Sequence, residues 1–159
     1  MHEQIPCVWE VEPRLRIYEA IPHKVDTAIN NSQAVVDFIV RYASDLASEC
    51  ILVFNLDTRG GLINFSRVSM GTLGMAPISG REMFKTAILS NAASIIMAHN
   101  HPSGDPTPSQ QDVETTRKIV QCGRILDIPL LDHIIVGSGG DSYSFLAMNA
   151  DLFDGGENQ

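Results

Sequence analysis

The chain has little positive charge. Eleven lysines and arginines stand against nineteen acidic residues, a formal net charge of −8 over 159 residues. A phosphate backbone is bound by many neutralising cations gathered in one patch. The densest groups here are the pairs Arg14/Arg16 and Arg117/Lys118, so charge gives no support to DNA binding. Cysteine is also scarce. Cys7, Cys50 and Cys122 are odd in number, lie far apart and form no C-x-x-C pair. That argues against a disulfide framework and suits reduced thiols in the cytoplasm. No run approaches the roughly 18 apolar residues of a membrane-spanning helix. The first residues lack the basic stretch and apolar run of a secretory signal. Neither membrane insertion nor secretion is expected.

What is present suits one globular domain, with 44% apolar residues to build a core. Residues 1–30 read as an irregular lead-in, with a strand option at 14–20. Asn31 and Ser32 offer a helix N-cap. Val35, Val36, Ile39, Tyr42, Ala43 and Leu46 then recur at helical spacing, which predicts a helix over 32–47. Residues 49–56 are short, apolar and β-prone, and 62–69 return as the second strand of a hairpin across a turn at 57–61. Residues 70–78 read as loop or short strand. A second helix is expected at about 81–92, opened by Ser79 or Gly80. A strand follows at 94–98, a Pro/Gly-rich loop at 102–108, and a third helix at about 109–126, capped by Ser109. Strands at 130–136 and 143–146 flank a turn at 137–140, and the acidic tail 151–159 is expected to fray. Strands alternate with helices around one hairpin, so the fold class is α/β with a mixed central sheet flanked by helices.

The chemistry concentrates at 97–112. His99 and His101 stand two apart, so in extended backbone their imidazoles point to one side and can converge on one ion. With Asp112 they make three protein ligands for a divalent metal, leaving the fourth tetrahedral position open. That is the arrangement of a catalytic Zn2+ site, and hydrolysis is its reaction class. Asp112 also closes a Ser-x-x-acid capping box with Ser109, and the ligand and cap readings can share one geometry. Ser109 can likewise cap the helix or donate its hydroxyl to a developing oxyanion. The general base is sought among Glu49, Glu82 and Asp105. Glu49, which opens an apolar strand, is preferred, against a plain reading as a solvated junction. Glu82 also reads as a helix N-terminal acid facing the dipole. His133 lies in an apolar strand and is read first as a satisfied strand residue, with support of the site from a neighbouring strand as the alternative. Cys122 falls in a helical pattern past the site and is not expected to supply a fourth ligand.

These residues carry a resemblance. His99-Asn100-His101-Pro102, six residues, then Ser109-x-x-Asp112 match the JAMM metal motif H-x-H-P-x6-S-x-x-D without a gap. The fuller string through Ser103-Gly104-Asp105-Pro106, with residues 131–137 and 143–145, resembles the RadC-like branch of the JAB/MPN superfamily over most of the chain. The resemblance implies a JAB/MPN, cytidine-deaminase-like fold over 31–150 and a zinc-dependent peptidase or isopeptidase acting on a peptide or protein. It implies that His99, His101 and Asp112 hold zinc, Glu49 activates water and Ser109 steadies the oxyanion. Asn100 stands where many peptidase members have Ser or Thr. The helix-hairpin-helix-like region that precedes this domain in full-length RadC proteins has no counterpart in residues 1–30. A DNA-repair or mobile-element accessory protein with a structural metal is the alternative, and a zinc hydrolase of non-peptide substrates ranks behind both. Exposed edges of a small mixed sheet leave a homodimer open.

Overall fold

The computed structural model describes residues 32–43, 48–70, 78–137 and 140–154. The expected lead-in, the strand option at 14–20 and the end of the acidic tail lie outside the described residues.

The protein is α/β, with a five-stranded mixed sheet between helical layers. Helix α1 (Ser32–Ala43) precedes the hairpin β1 (Cys50–Leu56) and β2 (Leu62–Met70), then α2 (Gly80–Leu89), β3 (Ser94–Asn100), α3 (Gln110–Leu126), β4 (Leu130–Val136), β5 (Ser142–Ser144) and α4 (Phe145–Met148). The sheet order is β2-β1-β3-β4-β5. Among the described strands only β3 and β4 run parallel, joined by the α3 crossover; the other neighbours are antiparallel.

Period-2 alternation divides the core into two layers. Leu52, Phe54, Ile96, Ala98, Ile134 and Val136 pack with Val35, Phe38 and Ile39 of α1. Ile51, Val53, Ile95 and Met97 pack with Met83, Phe84 and Ala87 of α2 and Ile119 and Val120 of α3. His99 continues the Ile95–Met97 alternation, so it emerges on the α2–α3 side at the carboxyl end of β3. Crevices at such strand ends are the usual ligand positions of α/β sheets.

Three expected boundaries move. α2 ends at Leu89 rather than near 92, because Asn91 takes a left-handed backbone, φ 52°. β3 runs two residues past 98 and takes in His99, because its ladder with β1 extends to Ile51↔His99. The strand expected at 143–146 gives way to helix after Ser144. The Ser144 hydroxyl accepts from the Ala147 N–H at 3.1 Å, and buried Asp132 accepts from the Ser144 hydroxyl and the Leu146 N–H. This polar cap turns the chain, and the apolar pair Phe145-Leu146 becomes the start of α4. Among the described residues no helix is long and apolar enough to cross a membrane.

Candidate metal centre

The three donors come from a strand end, a loop and a helix start. His99 is the penultimate residue of β3. His101 follows it, with its N–H held by the Val136 carbonyl at 2.9 Å. Asp112 sits in the first turn of α3, where a carboxylate faces the positive end of the helix dipole. One donor atom from each of His99, His101 and Asp112 lies within 4.8 Å of the others. His99 Nε2 is 2.9 Å from His101 Nε2 and 3.4 Å from Asp112 Oδ1, and His101 Nε2 is 3.7 Å from Asp112 Oδ2. A tetrahedral zinc with bonds of about 2.0–2.1 Å sets its donors about 3.3 Å apart. Two imidazole nitrogens and a carboxylate oxygen at this spacing fit a divalent ion.

Burial suits neutral ligands. His99 and Asp112 are buried, while His101 is partly open. Desolvation pulls the His99 imidazole down to about 4, opposed by the Asp112 carboxylate and reinforced by His101. A neutral ring at Nε2 has the lone pair that a metal needs. His101 Nδ1 meets the Asp105 carbonyl at 2.8 Å. A carbonyl only accepts, so Nδ1 carries the proton and Nε2 is free to bind.

Asp112 and Ser109 form a complete capping box. Asp112 Oδ2 accepts from the Ser109 N–H at 2.7 Å and the Ser109 hydroxyl at 2.6 Å, while Ser109 Oγ accepts from the Asp112 N–H at 3.2 Å. The ligand and cap readings thus coexist. Oδ2 is occupied by two donors, which leaves Oδ1 as the oxygen with lone pairs to give.

The three candidate bases separate clearly. Continuing the β1–β3 register two residues beyond Ile51↔His99 sets Glu49 opposite His101. Glu49 also shares the parity of Ile51 and Val53, which line the α2–α3 side. Asn100 brackets it: the Asn100 side chain accepts from the Cys50 N–H at 2.8 Å and donates to the Ser48 carbonyl at 3.3 Å. Glu82 is elsewhere. It is the third residue of α2, its N–H capped by Ser79 and its carboxylate paired with Lys85 at 3.0 Å, a contact that holds it below the usual carboxylate range. The start of α2 packs against Cys122, ten residues and about 15 Å along α3 from Asp112. Asp105 is exposed, and hydrogen bonds from the Thr107 side chain and then the Thr107 N–H lower its pKa. Its contribution to the site is its main-chain carbonyl. Cys122 lies outside the donor group.

His133 is buried and does more than complete a strand. Its Nε2 is 2.9 Å from His99 Nδ1, and its Nδ1 is 2.6 Å from Thr116 Oγ1. Desolvation drives this imidazole well below its ordinary value, reinforced by His99 and then His101. The secondary reading of His133 is therefore the one the geometry favours. Thr116, on α3, gave no signal in the sequence, since a threonine one helical turn after an acid is unremarkable.

The RadC-like JAB domain model matches residues 29–150. The chain is 44% identical over 126 residues to a UPF0758 protein of Symbiobacterium thermophilum, covering 79% of this chain and 53% of that protein. It is 52% identical over 85 residues to a UPF0758 protein of Syntrophomonas wolfei, covering 54% and 36%. With a UPF0758 protein of Methanococcoides burtonii it shares 36% over 136 residues, covering 86% and 58%. The chain thus spans about half the length of the relatives it matches. By its matched span, its α/β sheet and its His-His-Asp centre, the chain belongs to the RadC-like JAB domain family.

Proposed function

We propose that this domain is a zinc-dependent hydrolase of peptide or isopeptide bonds. The reading rests on one observation above others: the convergence of His99 Nε2, His101 Nε2 and an Asp112 oxygen at tetrahedral spacing. A zinc ion held by these donors would supply a Lewis acid and make water nucleophilic near neutral pH. Glu49 would take the proton of that water on its carboxylate, and the Asn100 bonds to its chain neighbours Ser48 and Cys50 support that placement. Ser109 would turn its hydroxyl from Asp112 Oδ2 toward the carbonyl oxygen of the substrate as negative charge develops there. The Ser109 N–H would stay on Oδ2, so the carboxylate keeps one donor throughout. The excess of negative charge favours a protein substrate over a nucleic acid, and the sparse cysteines suit the cytoplasm.

The test joins metal content to turnover. Wild type supplied with zinc should carry about one zinc per chain by elemental analysis, and His101→Ala should lose it. Glu49→Gln should keep zinc yet fail to cleave a panel of fluorogenic peptides and lysine-linked isopeptides. A wild-type chain without zinc would remove the enzyme reading. Loss of zinc or full turnover in Glu49→Gln would remove that base.

A further inference from the structure

We infer that His133 and Thr116 are positioning residues, forming a relay that fixes His99 in the tautomer able to bind a metal through Nε2. The relay rests on the metal reading above for its purpose, though not for its geometry.

The direction of every hydrogen bond follows from one contact and from the neutrality of a fully buried His133 that faces no carboxylate. Thr116 Oγ1 lies 2.6 Å from the Asp112 carbonyl oxygen. Two oxygens that close need a proton between them, and a carbonyl has none to give. The single hydroxyl proton of Thr116 is therefore committed to Asp112. Thr116 Oγ1 must then accept at its 2.6 Å contact with His133, so His133 Nδ1 carries a proton. A neutral His133 leaves Nε2 as an acceptor, and the proton in its 2.9 Å contact with His99 belongs to His99 Nδ1. The lone pair of His99 is thus at Nε2, on the side of His101 and Asp112.

The chain of contacts starts at one ligand and ends on the main chain of another, so it couples the β3 ligand to the helix that carries Asp112. Packing holds the middle ring in plane. His133 stacks on buried Phe145 at a centroid distance of 4.7 Å and an interplanar angle of 2°. Each of His99, Thr116 and His133 is buried, so no bulk water competes for these bonds. Partners of this kind behind metal-bound histidines typically change metal affinity by 10–100-fold when removed.

Nitrogen-15 imidazole spectroscopy of the metal-free protein reads the relay directly. His99 and His133 should both carry the proton on Nδ1 with Nε2 bare. His133→Phe keeps the ring stack on Phe145 but removes the acceptor, so His99 should become a mixture of tautomers and zinc affinity should fall 10–100-fold. His133→Gln, whose amide oxygen can accept from His99, should recover most of that loss. Thr116→Val provides the same test from the other end, and Thr116→Ser should behave as wild type. A proton on His99 Nε2 in wild type, or unchanged tautomer and affinity in His133→Phe and Thr116→Val, would overturn the relay. Wild type that shows the assigned tautomers yet binds no zinc would uphold the relay and overturn the metal reading.

Discussion

Ser109 has one hydroxyl proton and two uses for it. In the structure the proton goes to Asp112 Oδ2, and the oxygen accepts the Asp112 N–H. Capping and catalysis separate by substitution. Ser109→Ala should cost about 1 kcal/mol of stability in a denaturant melt, whereas Ser109→Gly should cost only a few tenths. If the hydroxyl also steadies an oxyanion, both variants lose turnover alike, by roughly 10²–10³-fold in kcat. A turnover loss that scales with the stability loss would leave Ser109 as a cap alone. The sequence carries this site unusually well at the residue scale. The i, i+2 histidines and the Ser-x-x-Asp spacing are local, and local geometry decides them. The Glu49 reading is not local in this way: it is decided by the register between two strands that are far apart in sequence, whose ladder ends at Ile51↔His99.

Among the elements, the loop between β3 and α3 is held from outside itself. Gly104 takes a left-handed backbone, φ 89°, which a side chain would disfavour. A Cβ on Gly137, just past β4, would collide with the Gly104 carbonyl oxygen and come 3.0 Å from Pro106 Cδ. Gly137 therefore lets the loop lie directly on the strand end, and the same loop delivers the Asp105 carbonyl to His101. Gly137→Ala should lift the loop and release His101, lowering zinc affinity at least tenfold in competition with a chromophoric chelator. Unchanged affinity would show that His101 is oriented without the loop. The legible elements were those with strong periodicity: β4 falls at 130–136 as expected, and α3 differs only in its cap residue. The missed α4 lies in an apolar run that reads as strand, and the Ser144 cap, held by buried Asp132 behind it, turns the chain. The role of His133 was equally hidden. It depends on β3 and β4 pairing in parallel, which sets His133 beside Met97 on the same side of the sheet as His99.

At the scale of the whole molecule, the buried imidazoles tie stability to pH. His99 is held at about 4 and His133 well below its ordinary value, in both cases chiefly by desolvation. Unfolding returns both rings to water, where they titrate near 6.5. Below that pH the unfolded chain binds protons that the folded chain refuses, so acid favours unfolding. The contribution is complete above about pH 6.5 and declines as pH falls toward 4, each ring contributing a slope of about 1.4 kcal/mol per pH unit. Half-buried Asp57 and Glu82 and exposed Asp105 are lowered from values already near 4, so their effect begins at about pH 5 and grows below it. The interval between about 5 and 6.5 therefore isolates the imidazoles. Urea unfolding of the metal-free protein at half-unit steps should show stability flat from pH 7.5 to 6.5 and falling below. His133→Phe removes one of the two rings and should reduce the slope by about half. Stability that stays flat to pH 5 would mean that both rings protonate inside the fold. Below about pH 6.5 the buried donors would then be charged, and zinc would have to displace their protons.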